Sequence, residues 1–113
     1  MEDMNQALGE VGSTMQALQK QYPELMSSFG MFMKKVESGG ALSMKTKELI
    51  SVALSVSAQC KWCISMHVKS ALELGATREE IMEAAFVSVL MGGGPSLMQL
   101  QVVMKAVDDL SEK

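Results

Sequence analysis

Residues 43–67 read SMKTKELISVALSVSAQCKWCISMH, and the first half of this stretch predicts the central helix of the fold. Ser43 can act as the N-cap, because its hydroxyl can accept a hydrogen bond from a main-chain N–H of the first helical turn. Apolar side chains then cover most of the helix circumference, as expected when a helix is buried on most sides. These residues are Leu49, Ile50, Val52, Ala53, Leu54 and Val56. We therefore predict a buried α-helix from Met44 to about Ala58.

Two helices are predicted before this central segment, and proline and glycine mark their boundaries. A helix over about residues 4–21 ends at the Tyr22–Pro23 step, because a proline disfavours the helical conformation of the residue before it. Pro23 itself suits the first turn of the next helix, which runs to about Val36 and ends before the Gly39–Gly40 pair.

Three helices are predicted after the cysteines. The first continues to Leu74 and ends at Gly75, and the second begins at a capping box, TREE over residues 77–80, and runs to about Met91. The sequence GGGP at residues 92–95 breaks the chain before the last helix. That helix carries Leu97, Leu100, Met104 and Val107 at helical spacing. Since no segment predicts a strand, we expect an all-α fold, a single-domain helical bundle of about six helices over residues 1–113.

Charge and hydropathy exclude several classes of function. The chain has 10 basic and 13 acidic side chains, and its lysines are dispersed rather than gathered into the basic patch that nucleic-acid binding needs. The N-terminus is acidic where a secretory signal would be basic, and no run approaches the ~18 uninterrupted apolar residues of a membrane span. We therefore expect a cytoplasmic protein that binds neither nucleic acid nor a membrane.

The apolar content exceeds what so small a core requires. Of the 113 residues, 48% are apolar and 12 are methionine, a residue that fills irregular cores and adaptable interfaces. Large contiguous apolar patches are rare on soluble monomers. We therefore expect a homo-oligomer that assembles through apolar helix faces.

The second half of the opening stretch carries the reactive side chains. Cys60 and Cys63 are the two cysteines of the chain, and His67 is its single histidine. On a continuous helix these three residues share one face, and positions i and i+3 lie about 5 Å apart, within the range of a disulfide. His67 is one turn beyond Cys63 and can take its proton, whereas the helix N-terminus favours a thiolate at Cys60. The spacing favours a redox-active Cys60–Cys63 pair.

Other interpretations of the same residues remain open. A structural disulfide is disfavoured in a reducing compartment, and inert packing of two buried thiols is a further possibility. Zinc could bind Cys60, Cys63 and His67, with Glu48 as the fourth ligand. Glu48 itself is either a solvated edge of the central helix or a partly buried acid that passes a proton toward the thiols.

The pattern Glu48, eleven residues, Cys60-Lys61-Trp62-Cys63, three residues, His67 resembles the active-site signature of the AhpD-like alkylhydroperoxidases. These proteins belong to the wider carboxymuconolactone decarboxylase family, and the GGGP sequence is similar to the glycine–proline step before that family's last core helix. The resemblance covers roughly residues 25–110.

The resemblance implies an all-helical protein that forms trimers or hexamers and reduces peroxides with thiols. By position, Cys63 would attack the peroxide, Cys60 would resolve the intermediate, His67 would be the base and Glu48 would belong to the proton relay. No cofactor is implied beyond the redox-active disulfide. An external dithiol, lipoyl or thioredoxin-like, would reduce that disulfide, and a peroxiredoxin is the usual partner.

Three alternatives to a peroxidase remain at this point. A protein disulfide reductase could use the same two cysteines without peroxide. A lyase of the carboxymuconolactone decarboxylase type is disfavoured, since the family's decarboxylases act on a lactone without a CxxC pair. The third alternative is a non-enzymatic oligomeric module, zinc-bound or purely structural.

Overall fold

The computed structural model describes residues 1–111 and is built from α-helices, as the sequence predicts. Two positions of the predicted single domain, Glu112 and Lys113, lie outside the described residues. Five helices follow one another: α1 Met4–Gln21, α2 Pro23–Glu37, α3 Met44–Ser57, α4 Lys61–Glu73 and α5 Arg78–Leu110.

The helices begin at the residues that the local sequence favours. The Ser43 side chain accepts a hydrogen bond from the main-chain N–H of Thr46, and Pro23 occupies the first turn of α2. Thr77 and Glu80 form both bonds of the predicted capping box at the start of α5. After α4 the chain passes through Gly75 at φ 88°, a left-handed conformation that glycine adopts without steric cost. The predicted boundaries before α5 are therefore confirmed to within a few residues.

The break predicted at the GGGP sequence is confirmed, because α5 consists of two helical arms that meet at a non-helical residue, Gly93. Gly93 has φ 60° and ψ −140°, so the helix is kinked there, and helical structure resumes directly after it. Pro95 then lies in the first turn beyond the kink, where its missing N–H costs least. At Gly92 a Cβ atom would lie 1.9 Å from the Oγ of Ser96, so this position requires glycine.

Helix α3 packs against α4 and α5 at the centre of the protein, and α1 covers one side of α4 and α5. The core consists of small and branched apolar side chains, among them Val52, Val56, Ile64, Val68, Ile81 and Val103. The start of α1 is attached to the end of α5, because Met4 is buried and its N–H donates to Asp109 Oδ2 at 2.9 Å. This packing holds α3 and α4, which carry the candidate site residues, in fixed relation.

Helix α2 is the least embedded element, since none of its residues is buried. Leu25, Met31 and Phe32 are each more than 60% exposed. The C-terminal end of α2 is nevertheless attached to α3, because Lys47 Nζ donates to the carbonyl oxygens of Val36 at 2.8 Å and Ser38 at 2.7 Å.

Helix α5 is long and apolar enough, by length and composition alone, to cross a membrane, with a mean hydropathy of 1.4 in its most apolar window. The core helix of a globular protein can pass the same test. The kink at Gly93 interrupts α5, and nine of its residues are buried against the rest of the fold. Of that most apolar window, 22% is buried within the described structure.

Candidate active site

The turn between α3 and α4 places Cys60 just before α4 rather than within it. Gln59 adopts a left-handed conformation with φ 55°, and the Cys60 N–H donates to the Ser55 carbonyl at 3.2 Å. Cys60 is the N-cap of α4, with extended backbone angles of φ −113° and ψ 103°. The prediction that both cysteines lie on one continuous helical face is therefore corrected, because Cys63 is helical and Cys60 caps the helix.

The two cysteines are free thiols, partly buried and in direct contact. The Cys60 sulfur accepts a hydrogen bond from the main-chain N–H of Cys63 at 3.2 Å, as an N-cap side chain does. Burial raises the pKa of the Cys63 thiol to about 11, and the hydrogen bond and charge of Cys60 add to this effect. At rest, Cys63 is therefore a protonated thiol that needs a base.

Lys61 lies between the two cysteines in sequence, and its positive charge is paired with a carboxylate. Lys61 Nζ binds the carboxylate of Glu2, and its ammonium lies 4.9 Å from the centre of the Trp62 ring. Since Glu2 offsets its charge, Lys61 contributes little to the acidity of the thiols.

His67 and Glu48 form the hydrogen-bonded pair of the site. His67 Nδ1 lies 2.7 Å from Glu48 Oε2, and the two side chains are 16% and 7% exposed. The packing of α3 against α4 brings together these two residues, which are 19 positions apart in sequence. Glu48 is thus a buried acid rather than a solvated edge. Within residues 1–111 the imidazole makes no hydrogen bond to either thiol.

A third polar residue of the site, Glu37, was missed by the sequence analysis. Ligand atoms of Glu37, Glu48 and His67 all lie within 4.8 Å of one another. Glu37 is the last residue of α2, where an acidic side chain has the local pattern of an ordinary surface residue. No periodicity in the sequence relates it to α3 or α4.

The cluster of Glu37, Glu48 and His67 also tests the hypothesis that the site binds zinc. In the described part of the chain, the side chains that lie close enough together to bind one cation are Glu37, Glu48 and His67. This set contains neither thiol. The structure therefore does not gather Cys60, Cys63, His67 and Glu48 into the four-ligand arrangement that the sequence allowed.

An apolar cavity of about 470 Å³ opens between α1, α2 and α4, a size typical of small-molecule sites. It reaches Cys63 but not Cys60. Its other lining residues are Glu10, Val11, Thr14, Met15, Phe29, Met33, Trp62 and Met66. At its edge the Trp62 indole N–H donates to Glu10 Oε1 at 2.8 Å, which fixes the indole beside the opening. The cavity thus presents an almost wholly apolar surface in front of one sulfur.

The fold and the site define a small all-helical protein with a CxxC pair at the start of one core helix and a buried carboxylate–imidazole pair beside it. The chain belongs to the carboxymuconolactone decarboxylase family, whose model matches residues 22–106. The resemblance seen in the Glu48, Cys60, Cys63 and His67 pattern is therefore confirmed at the level of the family.

Relatives and solved structures support this assignment over nearly the whole chain. An uncharacterized protein of Cupriavidus necator is 36% identical over 109 residues, which cover 96% of each chain. The apo crystal structure of a family member from Legionella pneumophila has a TM-score of 0.94 and 37% identity, and it covers 99% of this chain and 100% of its own. A Thermotoga maritima family protein, for which involvement in an antioxidative response has been suggested, has a TM-score of 0.81 and 25% identity, with 91% and 88% coverage.

Proposed function

We propose that this protein is a thiol-dependent peroxidase, which reduces hydrogen peroxide or small organic hydroperoxides through Cys60 and Cys63. The observation that carries the proposal is the apolar cavity that ends at Cys63, beside the buried Glu48–His67 pair. A hydroperoxide in this cavity would meet one sulfur and would have a proton acceptor close by. The suggested antioxidative role of the Thermotoga relative agrees with this chemistry.

The first chemical step oxidises Cys63 and reduces the peroxide. His67 accepts the thiol proton, and Glu48 stabilises the imidazolium that forms. The Cys63 thiolate then attacks the terminal peroxide oxygen, so that an S–O bond forms and the O–O bond breaks. The leaving alkoxide or hydroxide takes the proton back from His67 and departs as alcohol or water. Cys63 is left as a sulfenic acid.

The second step closes the disulfide and the third reopens it. The Cys60 thiol attacks the sulfenic sulfur, which releases water and forms the Cys60–Cys63 disulfide. An external dithiol reduces this disulfide by exchange and becomes a disulfide itself. A lipoyl group or a thioredoxin-like protein is the expected reductant, with a peroxiredoxin as a further partner. This cycle needs no bound cofactor and fits a cytoplasmic location.

The cavity lining favours organic hydroperoxides over hydrogen peroxide. Met15, Met33 and Met66 can adapt to alkyl groups of different shape, because methionine is unbranched and flexible. Phe29 adds a flat apolar surface from α2. A hydroperoxide with an aromatic or branched alkyl group would therefore bury more apolar area here than hydrogen peroxide could.

A protein disulfide reductase is the second candidate, and the position of Cys60 favours it. The N-cap position exposes the Cys60 sulfur to the positive end of the α4 dipole, which stabilises a thiolate. In that case Cys60 would attack an external disulfide and peroxide would not be required.

The experiment that separates these functions uses the variants Cys60→Ser and Cys63→Ser with cumene hydroperoxide and dimedone. If Cys63 attacks, Cys60→Ser forms a sulfenic acid that persists, and mass spectrometry finds one dimedone adduct at Cys63. The Cys63→Ser variant then shows no peroxide-dependent adduct and no turnover. An adduct on Cys60 alone would reverse the roles of the two thiols. Unchanged thiols together with stoichiometric zinc would favour a zinc-bound structural module.

We also propose that the protein works as a homo-oligomer, in the trimeric or hexameric form expected from its relatives. The exposed apolar side chains of α2 and of the region around the α5 kink support this proposal. Leu90 and Met91 beside the kink are 83% and 92% exposed, which is costly for a monomer in water. Light scattering of the purified protein should give a multiple of the 12.2 kDa chain mass.

A further inference from the structure

We propose that Glu37 is a positioning residue of this site. Its carboxyl group donates a hydrogen bond to the Glu48 carboxylate, so that the two acids hold one proton between them. This hydrogen bond keeps Glu48 against His67. The inference deepens the proposed peroxidase function but concerns how three neighbouring side chains are arranged in the resting protein. It can therefore be tested without any turnover.

The geometry requires either a shared proton or a strong repulsion. Carboxylate oxygens of Glu37 and Glu48 lie within 4.8 Å of each other, and the Glu48 side chain is only 7% exposed. Two carboxylates this close and this poorly solvated are not both ionised at low cost, so one of them retains its proton. The Glu48 carboxylate is already the acceptor for His67 Nδ1–H, so the donor within the pair of acids is Glu37. The proton therefore belongs to Glu37.

The charges around Glu37 agree with this assignment. Burial raises the pKa of the Glu37 carboxyl group, the hydrogen bond and charge of Glu48 raise it further, and His67 acts in the opposite direction. Lys47, from α3, donates to two main-chain carbonyls flanking Glu37. Lys34, from α2 itself, lines the same surface cavity as Glu37, and the α1 residue on that cavity is the uncharged Met15.

Lys47 explains how a loosely packed helix can place a side chain accurately. Helix α2 has no buried residue, so core packing does not determine the position of its last turn. The Lys47 ammonium binds the carbonyl oxygens of Val36 and Ser38, which lie on either side of Glu37 in sequence. Because Lys47 immediately precedes Glu48 in α3, the same short segment holds the backbone of Glu37 and supplies the acid that its side chain meets.

The arrangement of the two acids determines which nitrogen of the His67 ring can accept a proton. With Nδ1–H donating a hydrogen bond to Glu48, Nε2 is left as the acceptor nitrogen of the ring. A neutral Glu37 donates to one further acceptor position of Glu48 without adding a second negative charge. When Glu37 ionises, it no longer donates to Glu48, and the two like charges then repel each other and disturb the orientation of Glu48.

The test uses the fact that His67 is the single histidine of the chain, so its imidazole signals in proton NMR need no assignment by mutation. Two variants separate donation from ionisation: Glu37→Gln keeps a donor that does not titrate, and Glu37→Leu removes the donor. Glu24→Gln, at the exposed start of α2, is the matched control. We expect the wild-type and control titration curves of His67 to show a second inflection from Glu37. Glu37→Gln should lose that inflection alone, whereas Glu37→Leu should also change the imidazole chemical shifts at neutral pH.

Peroxide consumption gives the functional readout. Glu24→Gln should match wild type at pH 7, Glu37→Leu should be slower by about tenfold, the order expected for loss of one hydrogen bond in the relay, and Glu37→Gln, which keeps a donor, should be slowed less than Glu37→Leu. Identical His67 titrations in wild type and both Glu37 variants would overturn the inference, whatever the peroxidase activity. So would stoichiometric zinc binding that depends on Glu37, because a cation would then occupy the place of the shared proton. If none of the proteins, wild type included, consumed peroxide, the proposed function would fail while the NMR result still decided the role of Glu37.

Discussion

Replacing His67 by glutamine should make peroxide reduction depend on spontaneous ionisation of Cys63. The glutamine amide can still donate a hydrogen bond to Glu48, so the buried carboxylate keeps a partner and the fold is preserved. An amide does not accept a proton from a thiol under these conditions. The variant therefore removes the base while it retains the contact.

The expected magnitude follows from the environment of Cys63. With the pKa of this thiol raised to about 11, roughly one molecule in 10⁴ carries a thiolate at pH 7 and one in 10² at pH 9. If the variant reacts through that minor fraction, its rate should rise about tenfold per pH unit, or about 100-fold over this range. The sign is upward with pH, because the raised pKa favours the protonated, unreactive thiol. Wild type should rise much less, since the imidazole takes the proton.

The measurement is a single-turnover reaction with cumene hydroperoxide, followed by the fluorescence of Trp62. This is the single tryptophan of the chain and it borders the cavity beside Cys63. Glu73→Gln, an exposed change on the same helix, is the control and should follow wild type. A pH profile of His67→Gln that is flat, or that coincides with wild type, would show that His67 is not the base for this thiol.

Three further predictions concern the relay acid, the kink and the assembly. Glu48→Gln should slow peroxide consumption at least tenfold with unchanged circular dichroism, because it removes the charge that stabilises the imidazolium; full activity would leave Glu48 a structural residue. Gly92→Ala should lower the free energy of unfolding by ~1–3 kcal/mol in denaturant titrations, since its Cβ would clash with Ser96, while Gly94→Ala has open space and should be near neutral. Phe32→Glu, on the exposed face of α2, should reduce the mass found by light scattering; a wild-type monomer at micromolar concentration would remove the oligomer proposal.

The helices could be read from the sequence because their boundaries depend on neighbours in the chain. Ser43, Pro23 and Thr77 act within one turn of their own position, through a hydroxyl, a fixed φ angle and a capping box. The break before the last helical arm could also be predicted, since the glycine-rich sequence contains the non-helical Gly93. Local patterns show where regular structure is interrupted, whereas the packing of both arms against the core is a property of the whole fold.

Only part of the candidate site could be predicted from the sequence. The Glu48, Cys60, Cys63 and His67 spacing selected the family, and the structure places Glu48 against His67 as a relay would require. The same spacing predicted a continuous helical face for both thiols. The left-handed Gln59 instead turns the chain so that Cys60 caps α4. No residue pattern predicts such a turn, because glutamine does not favour the left-handed conformation.

By itself, the sequence determined the all-helical class, the helix boundaries and the chemical groups available for function, since each depends on contacts one to four residues apart. Only the tertiary structure decided which of these groups meet. Glu48 is buried, and Glu37 approaches it from a different helix, where α2, α3 and α4 pack together. The cavity that reaches Cys63 forms where α1 and α2 face α4. Such contacts join residues far apart in the chain, and the free energy that selects them comes from burial and desolvation of surfaces that no single segment contains.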